Sequence, residues 1–569
     1  MDLQTIRHSA AHIMAQAVKE LYPGVKLGIG PAIESGFYYD FDRKEPFIPE
    51  ELVKIEERMR RIINSDLEFK HTELSKKEAI KLFKKLKEDY KLELINEIEG
   101  DSVSIYQQGK FIDLCRGPHV NSTGQIKAFK LLTIAGAYWR GSESNAMLQR
   151  IYGTAFETEG ELEKYLSGLE EAKKRDHRRL GRELDLFSFH SEGPGFPFFH
   201  PKGVILYQLL LDFWREEHKK RGYVEVKTPI VLREELWKQS GHFEHYKEHM
   251  YFTAIEGSNF AIRPMNCPGG LLLYKEKQHS YRELPIKMAE LGLVHRHELS
   301  GVLHGLFRVK AFVIDDAHIF CMPSQICNEI VDATKLILHL YRMTGFNDYS
   351  IELSTRPQHS MGSDKIWEQA TTALKDALAK LKIDYKINEG EGAFYGPKID
   401  FHIRDCLGRM WQCGTIQIDF SMPERFNLDY IGENGKRQQP AMIHRAAFGS
   451  VERFIGILIE HYGGAFPVWL APEQVRIMTI ADRHIEYARK VFHLIEENSI
   501  RVESDFRNEK IGYKIRAAQN QKIPYMIVIG DKEIKEEKIS LRMRKEGDQG
   551  SQDINDFILR INKEIKNKK

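Results

Sequence analysis

The 569-residue chain has no long apolar run, no CxxC pair and almost no surplus of either charge sign. No apolar stretch approaches the roughly 18 residues that a membrane helix needs. The start, MDLQTIRHSAAH, lacks a signal-peptide pattern, so a cytosolic protein without a membrane partner is expected. The six cysteines, at 115, 267, 321, 327, 406 and 413, fall at irregular spacings, which in a reducing compartment argues against a disulfide framework. A net charge of +2 decides nothing about nucleic acid, because binding needs a basic face and not a basic total. No low-complexity tract interrupts a composition of 42% hydrophobic and 29% charged residues, so the chain reads as an ordinary globular one. Its length predicts three or four domains of about 100–200 residues.

Three segments carry chemistry. Residues 292–320, GLVHRHELSGVLHGLFRVKAFVIDDAHIF, read as two antiparallel strands joined by a long loop punctuated by Gly and Ser. Arg296 follows the first apolar segment and Arg308 precedes the second. Guanidiniums so placed suit a polyphosphate, because each forks bidentately onto phosphate oxygens. Glu298 can accept from an exocyclic amine and Phe312 offers a flat face to a base; the competing reading is a solvated surface hairpin. Residues 441–456, AMIHRAAFGSVERFIG, read as a strand entering a helix through Gly449-Ser450. Arg453 falls in its first turn, where free N–H groups and the dipole favour anions. Residues 223–230, YVEVKTPI, form a short strand closed at Pro229, after an amphipathic helix over 204–221.

Elsewhere, residues 1–21 read as a helix with His8 and His12 on one face, and 50–63 and 73–90 as further amphipathic helices. Strands at 103–106 and 111–114 are closed by CRGPH at 115–119. Residues 158–182 read as a helix that becomes basic towards its end, either a solvated linker or one that also touches phosphate. Strands at 474–480, 500–505, 524–529 and 538–543 alternate with helices at 483–497, 511–521 and 553–567. That alternation predicts a small α/β domain with a largely parallel sheet.

A helix, a strand closed by proline, an Arg-x-Glu hairpin and a Gly-Ser-x-Glu-Arg helix start together resemble motifs 1, 2 and 3 of the class II aminoacyl-tRNA synthetases. IRPMNCPGG (262–270), DDAHIF (315–320), EGAFYGPKIDF (391–401), WQCGTIQIDF (411–420) and PAMIHRAAFGSVERFIG (440–456) narrow the resemblance to the threonyl-tRNA synthetase family. It runs from about His8 to Lys563. It implies a multidomain α+β and α/β chain: an editing domain at 1–155, a basic linker helix at 156–182, a class II catalytic domain with an antiparallel sheet at 183–467 and an anticodon-binding domain at 470–569. The implied form lacks the small ubiquitin-like domain that usually opens the family, since Met1 stands just before the editing-domain helix. The implied activity is a ligase that activates L-threonine with ATP and passes it to the 3′ end of tRNA(Thr), releasing AMP and diphosphate. Motif 1 implies a homodimer. A relative that has lost catalysis and only binds RNA is the alternative, but such a relative would be expected to lose part of the phosphate or metal set, and all of it is present.

The resemblance assigns Arg296 to the α-phosphate and carboxylate, Glu298 to the adenine amine, and Arg308 and Arg453 to the γ-phosphate. Phe312 and Arg453 would sandwich the base, Mg²⁺ would bridge the phosphates, and His242 would help the tRNA 2′-hydroxyl lose its proton. Threonine must be told from isosteric valine, which an apolar pocket does poorly. The family uses a zinc ion on one Cys and two His, which match Cys267, His318 and His444. Asp316 would accept from the substrate, with Tyr395, Gln412 and Gln417 lining the pocket. Gly270 and Ile314 depart from the family's usual His and Gln. Serine offers the same chelating pair as threonine, and one methyl is worth only about 1–3 kcal/mol, so a second site that hydrolyses seryl-tRNA(Thr) is expected. His8, His12, Lys91, Asp113, Cys115 and His119 are its candidates. They form either an HxxxH/CxxxH metal site or a metal-free cluster that positions water; the family's editing pocket generally works without zinc, which favours the second. Asn508, Arg516, Glu533 and Arg542 match positions that read anticodon bases.

Overall fold

The computed structural model describes residues 2–142 and 144–568. It divides into two units, residues 1–170 and 171–569. In the first, the helix Leu3–Leu21 opens on Asp2, whose side chain accepts from the Gln4 N–H, and buries an unbroken run from Ser9 to Val18. The run contains four alanines and a serine, and these small side chains let the helix lie close to its neighbours. It packs on the antiparallel strands Gly36–Asp42 and Met147–Phe156, and Ala128–Tyr138 pairs with the latter.

A second sheet joins Phe69–Ser75, Ser102–Gln108 and Phe111–Leu114. Here the expected helix over 73–90 gives way. Residues to Ser75 pair with the 102–108 strand, and Ser75 and Glu78 form a capping box that starts the helix only at Lys76. Lys87, left-handed at φ 60°, ends that helix, and a second one runs from Asp89 to Glu97.

In the second unit an eight-stranded sheet runs in the order 224–225, 286–295, 311–321, 441–450, 410–419, 398–404, 349–354, 386–388. Only the outermost pairs at each edge are parallel. Helices Pro201–Lys219, Ile326–Met343, Asp364–Leu381 and Val451–Tyr462 supply apolar side chains to the core of this sheet. The expected helix over 158–182 is two, Glu159–Arg175 and His177–Glu183, because the Asp176 side chain caps the second through the Arg178 N–H.

The C-terminal sheet has the order 502–505, 475–479, 525–529, 539–543, 547–552. Its first three strands are parallel, as the alternation predicts, and the last two antiparallel. The strand Gly547–Gln552 and the helix Asp531–Glu536 were not expected; GDQGSQ contains no apolar residue to signal a strand. Among the described residues no helix is long and apolar enough to cross a membrane.

Candidate active sites

The strands 311–321, 441–450 and 410–419 and the loop at 296–309 enclose a cavity of about 600 Å³. Arg296, Glu298, Arg308, Phe312, Asp316, Tyr395, Gln412, Gln417, Cys267, His444 and Arg453 all line it. Arg296 lies just beyond the strand Ile286–His295; its Nε donates to the Pro264 carbonyl at 3.2 Å and its guanidinium stands 5.1 Å from the Phe312 ring. Arg308 Nε donates to Glu298 Oε2 at 3.0 Å. Ser450 caps the helix Val451–Tyr462 and accepts the Arg453 N–H at 3.2 Å. The Arg453 guanidinium stands 5.8 Å from the Trp411 ring, and its Nε is buried without a protein partner. Three guanidiniums thus converge on one cavity, a strong anion site.

At the other end of the cavity three metal-donor side chains meet. His318 and His444 are direct cross-strand partners with ring centroids 5.1 Å apart, and Cys267 opens the helix Cys267–Lys275. All three are buried, with one donor atom from each within 4.8 Å of the others. Asp419 Oδ2, fully buried, holds His444 Nε2 at 3.1 Å, which leaves Nδ1 as the ring nitrogen for an ion. His318 Nε2 is buried without a hydrogen-bond partner, 3.7 Å from Asp316 Oδ2. Burial, helped by Asp316 and Asp419, holds the Cys267 thiol well above its ordinary pKa, a cost that a bound cation would reverse. Burial also lowers His318 to about 4, keeping it in the neutral form that ligates. One thiol and two imidazoles in a closed, carboxylate-braced pocket fit zinc.

Around this centre Asp316 Oδ2 accepts from Asn266 Nδ2 at 3.2 Å, and the Tyr395 hydroxyl donates to Gln417. Gln412 and Gln417, of opposite parity, share the cavity because a register shift between Phe401 and His402 leaves Cys413 as an extra residue. A Cβ on Gly270 would come within 3.2 Å of His318 Nδ1, so glycine there lets the ligand ring sit against the helix; Ile314 presents an apolar wall. His242 does not line the cavity. It is fully buried behind Met265 and Cys267, its Nε2 3.1 Å from Met265 Sδ, and burial lowers its pKa to about 3.

The residue 1–170 unit holds the second cluster. Cys115 Sγ lies 3.3 Å from His8 Nε2 and 3.2 Å from His119 Nε2, and accepts the Gly117 N–H at 3.2 Å. His119 Nδ1 is bonded to Ser9 Oγ at 3.1 Å, and its ring stacks on Phe69. His12 Nε2 is 3.7 Å from Asp113 Oδ2, while His12 Nδ1 is buried without a protein partner. Lys91 Nζ meets Asp113 Oδ1 at 2.7 Å, with both side chains 2% exposed, and donates to the Tyr39 hydroxyl at 3.0 Å. All six expected residues therefore form one connected site. Burial raises the Cys115 thiol to about 11 and drives both His12 and His119 well below the ordinary imidazole range.

Residues 251–462 match the tRNA synthetase class II core domain (G, H, P, S and T), residues 474–564 the anticodon binding domain, and residues 103–152 the threonyl and alanyl tRNA synthetase second additional domain. The threonine–tRNA ligase of Clostridium tetani is 61% identical over 99% of this chain and 88% of that protein. The chain belongs to the threonyl-tRNA synthetase family. The threonine–tRNA ligase of Acetivibrio thermocellus is 61% identical over the same shares. Among solved structures, the RNA binding domain of threonyl-tRNA synthetase from Cryptosporidium parvum Iowa II aligns with a TM-score of 0.67 at 42% identity, covering 68% of this chain and 98% of that one.

In this synthetase the four C-terminal candidates differ in freedom. Asn508 and Arg516 are exposed, Arg542 is half-buried and bonded to Asp548 at 2.9 Å, and Glu533 is 9% exposed with Oε2 accepting the Gly530 N–H at 3.0 Å. Sequence reasoning missed several supporting residues of the synthetase cavity. Asp315, raised by burial to about 6, accepts the backbone N–H groups of Ala447, Phe448 and Gly449 and so pins the turn before Arg453. Glu452, raised by burial to about 7, joins the Tyr207 hydroxyl to the Val313 N–H. Strand alternation was the available signal for Asp315, since it must face away from Asp316 and into the core.

Proposed function

We propose that the 600 Å³ cavity carries out the synthetic reactions of a threonine–tRNA ligase, with ATP at the arginine end and threonine at the Cys267/His318/His444 end. The observation that carries this is that three guanidiniums line the same cavity as Cys267 and His444, which with the adjoining buried His318 form a three-donor metal cluster. Adenylation joins the threonine carboxylate to the α-phosphate with loss of diphosphate, and alignment and positive charge supply most of its rate. Arg296 faces the α-phosphate and carboxylate, Arg308 and Arg453 hold the γ-phosphate, and Glu298 takes the adenine amine. Arg296 already covers one face of Phe312, so base stacking between Phe312 and Arg453 is supported by their common cavity and not by direct contact. Mg²⁺ on the phosphates is part of the same reading.

Cys267, His318 and His444 would hold zinc, which when bound offers open positions to the amino and hydroxyl groups of threonine; valine has no hydroxyl to give. Asp316, Tyr395, Gln412 and Gln417 orient the substrate. The family resemblance also gives His242 a part in the transfer to tRNA(Thr), and its buried ring, behind Met265 and Cys267, would act on the cavity through them. The exposed apolar side chains of Val204 and Val224, along motif 1, support a homodimer. A cytosolic location is proposed with it.

The ligase also hydrolyses seryl-tRNA(Thr). We assign this to the His8/His12/Lys91/Asp113/Cys115/His119 site and favour the metal-free form: Cys115 and His119 already satisfy one another, Gly117 and Ser9, and the unpartnered His12 Nδ1 is a group that can hold a water. Asn508, Arg516, Glu533 and Arg542 are proposed to read the anticodon. ATP–pyrophosphate exchange across the amino acids tests the whole reading. Exchange should depend on threonine, be weak with serine and negligible with valine; equal exchange with valine would remove the threonyl assignment.

A further inference from the structure

The short helix His177–Glu183 begins with a side chain to which the reaction above gives no role. His177 has no exposed surface, yet both its ring nitrogens are committed. Nε2 accepts the Leu306 backbone N–H at 2.9 Å, so that nitrogen carries no proton. Nδ1 therefore carries it and donates to Glu460 Oε1 at 2.7 Å. Glu460 lies on the helix Val451–Tyr462 that bears Arg453, and it also accepts the His177 backbone N–H at 3.0 Å and the Arg409 guanidinium at 2.6 Å. Asp176, His177 and Glu460 are close enough together to be metal donors. With both nitrogens and the carboxylate spent on protein partners, and Asp176 capping Arg178, no donor is left for an ion.

Leu306 belongs to the turn Gly305–Phe307, immediately before Arg308. A Cβ on Gly305, at φ +50°, would fall 2.1 Å from His177 Nε2, so the turn closes on the imidazole only because that residue is glycine. The Phe307 ring centroid lies 4.0 Å from that of His177 and 4.4 Å from that of Trp411, and Trp411 meets the Arg453 guanidinium at 5.8 Å. Phe307, Arg308 and Arg453 line the cavity; His177 does not. The contacts run in one direction, from a buried histidine outside the cavity to the two side chains expected to grip the triphosphate.

We propose that His177 is a positioning residue for the nucleotide: by bridging Glu460 to the Leu306 N–H it fixes the 305–307 turn, and so sets Phe307 and Arg308 opposite Arg453. The inference rests on the reading that this end of the cavity takes ATP, and it predicts an asymmetry between the two substrates. The threonine end is built on Cys267, His318 and His444, which lie on other elements, and it should not register the change.

The test titrates ATP calorimetrically into parent, His177→Asn, His177→Gln and Gly305→Ala proteins, and measures KM for ATP and for threonine in pyrophosphate exchange. Asparagine places an amide at the depth of Nδ1, where it still meets Glu460 but leaves the Leu306 N–H without an acceptor. Glutamine carries an amide oxygen to the depth of Nε2. In His177→Asn, ATP affinity and KM for ATP should weaken about tenfold, the effect of one buried hydrogen bond lost, with KM for threonine and zinc content within about twofold of the parent. His177→Gln should recover much of the loss. Gly305→Ala, which displaces the turn from its other side, should reproduce the ATP-selective defect and decides the matter if His177→Asn does not fold. ATP affinity within about twofold of the parent in whichever of these two is folded, equal weakening for both substrates, or a glutamine variant no better than asparagine overturns the proposal. A parent whose exchange does not depend on threonine would instead sink the functional reading, while the ATP titrations still judge His177.

Discussion

The two histidine–cysteine clusters contain nearly the same side chains and are braced in different ways. At Cys267/His318/His444 one imidazole is held from behind by a buried carboxylate, the other presents a nitrogen with no hydrogen-bond partner, and the thiol hydrogen-bonds only loosely, 3.6 Å from His242. At His8/His12/Cys115/His119 the thiol sits between two imidazoles and a backbone N–H, while the nearby carboxylate, Asp113, is paired with Lys91. Metal-donor residue types within reach of one another thus do not by themselves make a metal centre. Each cluster keeps one buried ring nitrogen without a hydrogen-bond partner, His318 Nε2 in one and His12 Nδ1 in the other. What separates them is the brace, a buried carboxylate behind a ligating imidazole in the first and a thiol already shared between two imidazoles in the second.

The largest effect that would break this contrast is at Cys267. Cys267→Ala should lose zinc and abolish threonine-dependent exchange, by about a thousandfold or more, because the hydroxyl that marks threonine then has no partner. Metal analysis of the parent should find one zinc per chain; two would give the N-terminal cluster an ion as well and erase the difference. Next in size, His8→Ala, Lys91→Ala and Cys115→Ala should each slow deacylation of seryl-tRNA(Thr) by about a hundredfold, the usual contribution of a positioned acid–base group. Exchange with threonine should stay at the parent rate. If all three variants deacylate as fast as the parent, the editing assignment fails; if they lose zinc, the metal-free version fails.

Much of the architecture was legible in the sequence where periodicity was strong: the two-strand hairpin around residues 296–308, the strand-to-helix turn at Gly449-Ser450, and the α/β alternation of the last hundred residues. The illegible parts share a cause, a local signal overruled by a partner distant in sequence. Residues 69–75 look helical at their end and become a strand because the 102–108 strand pairs with them. Gln412 joins Gln417 only through a one-residue bulge. The metal donors are 51 and 126 residues apart, at spacings that carry no local signature, and only family resemblance located them. Asp315, Asp419 and Glu452 fall inside the quoted motifs, but nothing in the motifs said what they hold. Asp315, Asp419, Glu452 and His177 matter for what they hold, and that depends on register and packing.

Asp419 gives the finest test of the contrast, because it is the group that the catalytic cluster has and the N-terminal one spends elsewhere. Its Oδ2 fixes His444 Nε2, and its Oδ1 accepts the N–H groups of Ser421 and Met422, so the carboxylate is itself held in place. A carboxylate behind a ligating histidine sets the ring's tautomer and orientation and raises its basicity. Asp419→Asn keeps the shape and can keep both backbone hydrogen bonds on its remaining oxygen, but presents an amide where the imidazole N–H needs an acceptor. Zinc affinity, measured by competition with a chelator, should fall about 10–100-fold, with KM for threonine rising in step and KM for ATP unchanged. Adding zinc in excess should restore exchange, which it cannot do for Cys267→Ala. The mirrored change, Asp113→Asn, should leave zinc content at one per chain and affect only deacylation. Were Asp419→Asn to hold zinc as tightly as the parent, the buried carboxylate would not be what distinguishes the two clusters.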